Sequence, residues 1–204
     1  MRILILAAAL SVSAVQAQAG TWWDTLFGKG DNAFEACRQG SVAGDIGGPF
    51  ELLNAEGETV TDTDVITEPS LIYFGYTFCP DVCPLDAARN ADAVDVLAEQ
   101  GHSVTPVFIS VDPKRDTPDA VGDFAANLHE KMIGLTGSPE QVKAASRAYR
   151  TYYRAQEAED DYYLVDHSTF TYLVLPEQGF VDFFRRDDSA EDMAERVACF
   201  LDAQ

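Results

Sequence analysis

Two almost continuous apolar runs, residues 70–76 (SLIYFGY) and 103–111 (SVTPVFISV), have strand length and no polar alternation. That pattern belongs to strands buried on both faces, as in a parallel sheet covered by helices. Between them Leu85, Ala88, Val94, Leu97 and Ala98 form a loose helical stripe, with Pro84 suited to the first helical position and Gly101 to the stop. Beyond the second run, Thr117 before Pro118 predicts an N-cap and a helix start. Residues 132–137 (MIGLTG) predict a short strand, and Ser138, Pro139 and Gln141 the capping box of another helix. Residues 169–184 (TFTYLVLPEQGFVDFF) predict a hairpin turning at 176–179, and residues 189–201 (SAEDMAERVACFL) a final helix. Upstream, residues 49–60 (PFELLNAEGETV) predict two short strands about a turn at 54–57.

Strand and helix in alternation, then a hairpin and a helix, specify an α/β fold: a thioredoxin-like central mixed sheet flanked by helices, with an N-terminal β-hairpin. Such a fold leaves function open. The 204 residues suit one domain, assigned to residues 46–204, preceded by a linker segment at 20–45. Trp22, Trp23 and Phe27 in that segment offer a contact surface, or it is a plain tether or short helix.

Residues 1–19 read as a secretory signal: Arg2, an apolar run over 3–15, then small residues that permit cleavage after Ala17 or Ala19. The run of about 13 residues is short for a bilayer span. Export to the periplasm is expected, with an uncleaved membrane anchor as the alternative. The formal net charge of −20 repels phosphate backbones, which argues against nucleic acid as a partner.

Chemistry concentrates where the first buried run ends. Cys79 and Cys83, with three residues between them, stand at a strand-to-helix passage, where sites tend to form in open α/β sheets. If the loop winds as a helix start, positions i and i+4 share a face, about 5–6 Å apart at Cβ. The pair then fits a structural disulfide, a redox pair or two ligands of a metal site. A helix N-terminus also favours thiolates. His102 falls in a polar turn and His129 at a helix end, both read as surface residues, whereas His167, after Asp166, enters an apolar strand. Two thiolates and one imidazole form a soft set suited to copper, while structural zinc would want a fourth ligand.

The segments YFGYTFCPDVCP, VFISVDPKRDTP, IGLTGSPEQV, AYRTYYR and VDHSTFTYLVLP occur in that order across residues 46–184, about two thirds of the chain. Together they resemble the Sco/SenC family of copper-binding, thioredoxin-fold proteins. The resemblance implies that Cys79, Cys83 and His167 bind one copper ion, as Cu(I) or Cu(II). It implies a metallochaperone that delivers copper to the binuclear centre of cytochrome c oxidase subunit II. The alternatives are a thiol-disulfide reductase acting on the cysteines of that subunit, or a redox sensor. Asp112, in the D-P loop, and Asp166, beside the histidine, are expected in supporting roles. A thioredoxin would carry a cis-proline facing its cysteines, but the matching segment here is VDHS; a peroxiredoxin would show T-x-x-C, but Thr77 is followed by Phe78 and Cys79.

Thiolate ligands must be reduced before copper binds, so an exported thioredoxin-like reductant is an expected partner, and another copper carrier a further one. The remaining cysteines, Cys37 and Cys199, have no histidine or acidic cluster beside them. They are expected to form a disulfide that pins the N-terminal segment to the last helix; two unpaired buried thiols are the alternative.

Overall fold

The computed structural model describes residues 29–38, 45–157 and 162–204; the signal segment and the Trp22, Trp23 and Phe27 cluster lie outside them. Both apolar runs form central strands, β3 (Ser70–Gly75) and β4 (Thr105–Ser110), and every residue of each is buried. They pair in parallel, with Tyr73 opposite Phe108 and Gly75 opposite Ser110. Strand β5 (Ile133–Leu135) extends the parallel side. On the other side, β8 (Thr171–Leu175) and β9 (Gly179–Phe184) add as an antiparallel hairpin, giving the order β5-β4-β3-β8-β9. The N-terminal hairpin, β1 (Glu51–Leu53) with β2 (Thr59–Thr61), is a separate sheet joined past the end of β5 by a Leu53–Thr136 bridge, its turn held by Asn54 Oδ1 accepting from the N–H groups of Glu56 and Glu58.

Among the described residues there are five longer helices, and one single-turn helix, α2 (Asp62–Val65), follows β2. Helix α3 (Val82–Glu99) connects β3 to β4. Helix α4 (Pro118–Leu128) starts where expected, with Thr117 Oγ1 accepting from Ala120 N. Helix α5 (Pro139–Ala148) opens on the Ser138–Gln141 capping box, and α6 (Ala190–Asp202) on a Ser189–Asp192 box. The first helix, α1 (Lys29–Cys37), falls inside the segment read as a linker. It packs on α6, with the Phe34 and Phe200 rings 5.3 Å apart, and the Cys37–Cys199 disulfide fastens the two.

Two differences from the sequence reading bear on the site. Helix α3 begins at Val82, so Pro84 occupies its third position. That costs no hydrogen bond, because the N–H groups of a first turn have no intrahelical acceptor. A separate two-stranded ribbon, β6 (Tyr153–Ala155) with β7 (Val165–His167), was not anticipated, nor was α2. Its register places His167 opposite Tyr153, at the end of β7 that leads into β8.

The period-2 alternation of β3 divides the core. Ile72 and Phe74 face an aromatic cluster with Tyr149 and Tyr172, whose rings pack at 5.4–6.0 Å around Phe74. Leu71 joins the opposite layer with Val94, Leu97 and residues of α6. Tyr73 and Gly75 continue that α3-facing row to the carboxyl end of the strand, where Tyr73 meets Asp86 and Gly75 meets Cys83.

Candidate metal centre

Cys79 lies in the short passage between β3 and α3, and Cys83 is the second residue of α3. Asp81, the residue before the helix, makes no side-chain cap. The sulfur of Cys79 serves instead, accepting the Cys83 backbone N–H at 3.4 Å. Burial opposes ionisation of Cys79, but the N–H groups of Cys83 and Asp81, the Cys83 thiol and the Tyr76 hydroxyl outweigh it and hold its pKa below the ordinary thiol range. Cys83 is fully buried, and that burial pushes its thiol well above the ordinary range. The two sulfurs are therefore unequal, Cys79 ionising more readily than Cys83.

His167 closes the site from β7. Its Nε2 lies 3.2 Å from Cys83 Sγ, and its Nδ1 lies 2.8 Å from the carbonyl oxygen of Ser168. A carbonyl only accepts, so Nδ1 carries the proton and Nε2 presents its lone pair to the sulfurs. Burial lowers the imidazole pKa, which favours this neutral, ligating form. Tyr73 and Tyr76 stand edge-on to the ring at centroid distances of 6.1 and 5.7 Å. The two Sγ atoms and a ring nitrogen lie within 4.8 Å of one another. This is a three-point, S₂N donor set of soft character, matched to copper by its chemistry.

Tyr73, Tyr76, Asp86 and Gly75 form the floor and wall of the site, and none was singled out from the sequence. The Tyr73 hydroxyl donates to Asp86 Oδ2 at 3.1 Å, and Arg186 Nε lies 3.4 Å from Asp86 Oδ1. Burial pushes the Tyr76 hydroxyl up to about 12, with the Cys79 sulfur beside it adding to the rise. A Cβ on Gly75 would come within 3.2 Å of Cys83 Sγ and within 3.0 Å of the Tyr73 and Phe108 rings. The signal that was there to read is the β3 alternation, which sends Tyr73 and Gly75 toward the cysteine-bearing helix.

Asp112 and Asp166 are placed differently. Asp112 is buried next to the site wall: it accepts from Arg115 Nε at 2.5 Å and from the Tyr163 hydroxyl at 2.7 Å. The Arg115 guanidinium stacks 3.6 Å over the Tyr163 ring and reaches the Phe78 and Tyr76 rings at 4.9 and 5.7 Å. Asp166 alternates away from His167 along β7 and accepts from Gln156 Nε2 at 2.7 Å, influencing the imidazole through charge alone. His102 and His129 stand near Asp202 and Asp95 and join no metal-holding group among the described residues.

Fold and site define a thioredoxin-like protein in which a cysteine pair at a helix start meets a histidine from a separate strand. The SCO1/SenC family model matches residues 38–202, and the chain belongs to that family. It is 59% identical over 172 residues to protein SenC of Rhodobacter capsulatus, covering 83% of this chain and 78% of SenC. To SCO1 homolog 1, mitochondrial, of Arabidopsis thaliana it is 44% identical over 165 residues, covering 79% of this chain but only 49% of that longer protein. The crystal structure of Arabidopsis thaliana ScoI with copper bound superimposes with a TM-score of 0.75 at 43% identity, covering 78% of this chain and 99% of that one. BsSco, a member of the Sco family of cytochrome c oxidase assembly proteins in which a disulfide switch was identified, superimposes with a TM-score of 0.64 at 25% identity, covering 80% of this chain and 97% of that one.

Proposed function

We propose that this chain binds one copper ion through Cys79 Sγ, Cys83 Sγ and His167 Nε2 and carries it as cargo for the assembly of cytochrome c oxidase. The observation that carries the reading is the convergence of three soft donor atoms, from two segments 84 residues apart, within 4.8 Å. Copper bound to relatives of this fold supports the choice of metal. The oxidase as destination draws support from the Sco relative described as an assembly protein of that enzyme, with the thiols of subunit II as acceptor.

The acceptor must reach the site, and the surface there suits a protein. Among the described residues six large apolar side chains are exposed, and three of them, Phe78, Tyr162 and Leu164, line one groove. Phe78, Leu85, Tyr162, Leu164 and Phe170 lie on the segments that bear the three donors, and Tyr152 accepts the Ser168 N–H beside His167. The Cys37–Cys199 bridge supports an oxidising compartment such as the periplasm, where disulfides persist. There the site cysteines also tend toward a disulfide. Loading then requires a dithiol donor, which gives two electrons and two protons to the Cys79–Cys83 bridge and becomes a disulfide itself.

A second reading rests on the unequal thiols. A sulfur of lowered pKa and a more deeply buried partner of raised pKa suit the attacking and resolving roles of a thiol-disulfide reductase. One experiment separates the two. The reduced protein is titrated with Cu(I) against a competing chelator, and its disulfide exchange with a thiol substrate is followed, each repeated in His167→Ala. Carriage of copper requires 1:1 binding that is lost in the variant; reductase function requires disulfide turnover that survives it.

A further inference from the structure

The passage that carries Cys79 is anchored in the core by Tyr76 and by Cys79 itself, while the residues between and after them are not. Strand β3 ends at Gly75, α3 starts at Val82, and between them the side chains of Phe78 and Pro80 are exposed. A single backbone bond, from Cys79 N to Tyr76 O at 3.3 Å, closes the turn. What ties Thr77 down comes from the neighbouring loop. The Asp116 carboxylate accepts from Thr77 N at 2.9 Å and from Thr77 Oγ1 at 2.5 Å, and it takes a third donor, Ser110 Oγ, at 2.6 Å.

Asp116 is 1% exposed, and its own backbone is pinned at both ends. Its N–H donates to Asp112 O at 3.0 Å, and its carbonyl accepts from Thr136 Oγ1 at 2.7 Å. The two loops are kept side by side by the parallel β3–β4 pair, whose ladder continues one step past the strands through Val111 N to Gly75 O at 2.7 Å. A buried carboxylate offers two strong acceptors to hydrogen bonds made without competition from water, and such bonds are stronger than neutral ones. Here both serve a residue two positions from the first sulfur.

We propose that Asp116 is the positioning residue of the site: it holds the Tyr76–Cys79 turn and thereby sets where the Cys79 sulfur stands relative to Cys83. This rests on the reading of Cys79 and Cys83 as the working thiols, whether they hold copper or exchange disulfides. Its effect is on geometry, and geometry between two thiols is measured by their effective concentration toward each other.

The test uses the full chain without metal. The equilibrium constant of the Cys79–Cys83 disulfide is measured against a glutathione buffer in the wild type, Asp116→Ala and Asp116→Asn, with thermal unfolding of each as the measure of folding. Asp116→Ala strands three donors and is expected to lower the constant about tenfold or more; Asp116→Asn, which keeps one acceptor, is expected to lower it about threefold. The Cu(II)–thiolate charge-transfer band of the loaded variants should shift or broaden in the same order, a signature that a loss of overall stability alone would not produce. A folded Asp116→Ala protein with the wild-type constant and an unchanged band overturns the proposal. If that variant does not fold, a wild-type constant in Asp116→Asn overturns it equally. Because the disulfide constant needs no metal, failure of copper binding in the wild type would count against the copper reading alone, and the variants' constants would still uphold or overturn this one.

Discussion

His167 Nε2 lies 3.2 Å from Cys83 Sγ, and the Ser168 carbonyl holds the proton of the same ring on Nδ1. The buried thiol and the imidazole share one hydrogen bond in the metal-free state. On the proposed function a soft cation would displace that proton and be held by the lone pair of Nε2 and the thiolate of Cys83 together. His167→Ala removes a donor and should weaken Cu(I) binding by about 100-fold or more, since even partners outside the ligand shell are typically worth 10–100-fold. A competitive chelator titration checks this, and nitrogen hyperfine structure should vanish from the Cu(II) spectrum.

The two thiols should titrate on opposite sides of the ordinary thiol range. Helix-start N–H donors hold Cys79 below the ordinary thiol range, whereas burial drives Cys83 above it. In the reduced, metal-free protein, alkylation should therefore reach Cys79 first, with a rate midpoint below that of an ordinary thiol near 8.5. Cys83 should resist alkylation while the fold persists. The sign for stability follows from Cys83. An unfolded chain ionises it above about pH 8.5 and the folded chain does not, so the fold loses protection as pH rises past that value. Peptide mapping after timed alkylation across pH 6–10 (about the range of thiol titration) reads out both halves. Equal reactivity of the two cysteines would remove the basis for this asymmetry.

The place of Gly75 yields a third expectation. Its missing side chain leaves room for Cys83 Sγ between the Tyr73 and Phe108 rings. The obstructing atoms are ring edges and a sulfur in a packed layer, so little can give way. Gly75→Ala should destabilise the protein by about 1–3 kcal/mol through overpacking and should displace Cys83 from its hydrogen bond with His167. Urea unfolding measures the first effect. Loss of copper affinity in the folded fraction measures the second.

Much of this arrangement is legible in local sequence because local physics produces it. The apolar runs of β3 and β4, the Thr117 and Ser138 helix starts and the hairpin about residues 176–179 each depend on neighbours within a few positions. The donors Cys79, Cys83 and His167 stand out because their side chains carry the chemistry themselves. What supports them does not stand out. Asp116 matters through strand pairing that sets two loops side by side, and Tyr73 through its reach across to Asp86. Both are products of register. Asp166 shows the reverse: adjacent to His167 in sequence, it is turned away by strand alternation. The three-residue strands β6 and β7 are too short for a period to be seen, and their pairing brings His167 beside Tyr153.

The Cys37–Cys199 disulfide closes a loop of 162 residues and ties α1 to α6 on the side of the sheet that packs against Leu71, Leu173 and Phe184. Replacing both cysteines by serine should cost about 2–4 kcal/mol, the usual range for removing such a link. Copper stoichiometry at the site should stay at one, because no side chain of the metal centre touches this bridge. Differential unfolding curves and a parallel metal titration test the two statements separately.

Transfer to a partner should depend on the apolar rim more than binding does. Phe78, Pro80 and Leu164 border a groove of about 570 Å³ that opens next to Cys79. Phe78 and Leu164 are 57% and 47% exposed, more than a monomeric surface requires of large apolar groups placed side by side. Neither supplies a ligand. Phe78→Asp and Leu164→Asp should therefore leave Cu(I) affinity within about twofold, since surface changes away from ligands are worth about 0.5 kcal/mol or less. On the proposed function, with oxidase subunit II as acceptor, they should slow copper transfer to, or thiol exchange with, its soluble domain by about tenfold, the effect of removing one apolar anchor at an interface. Stopped-flow transfer assays with the wild type and both variants measure it. Transfer at the wild-type rate in both would mean that the acceptor approaches from the Phe170 side of the site instead.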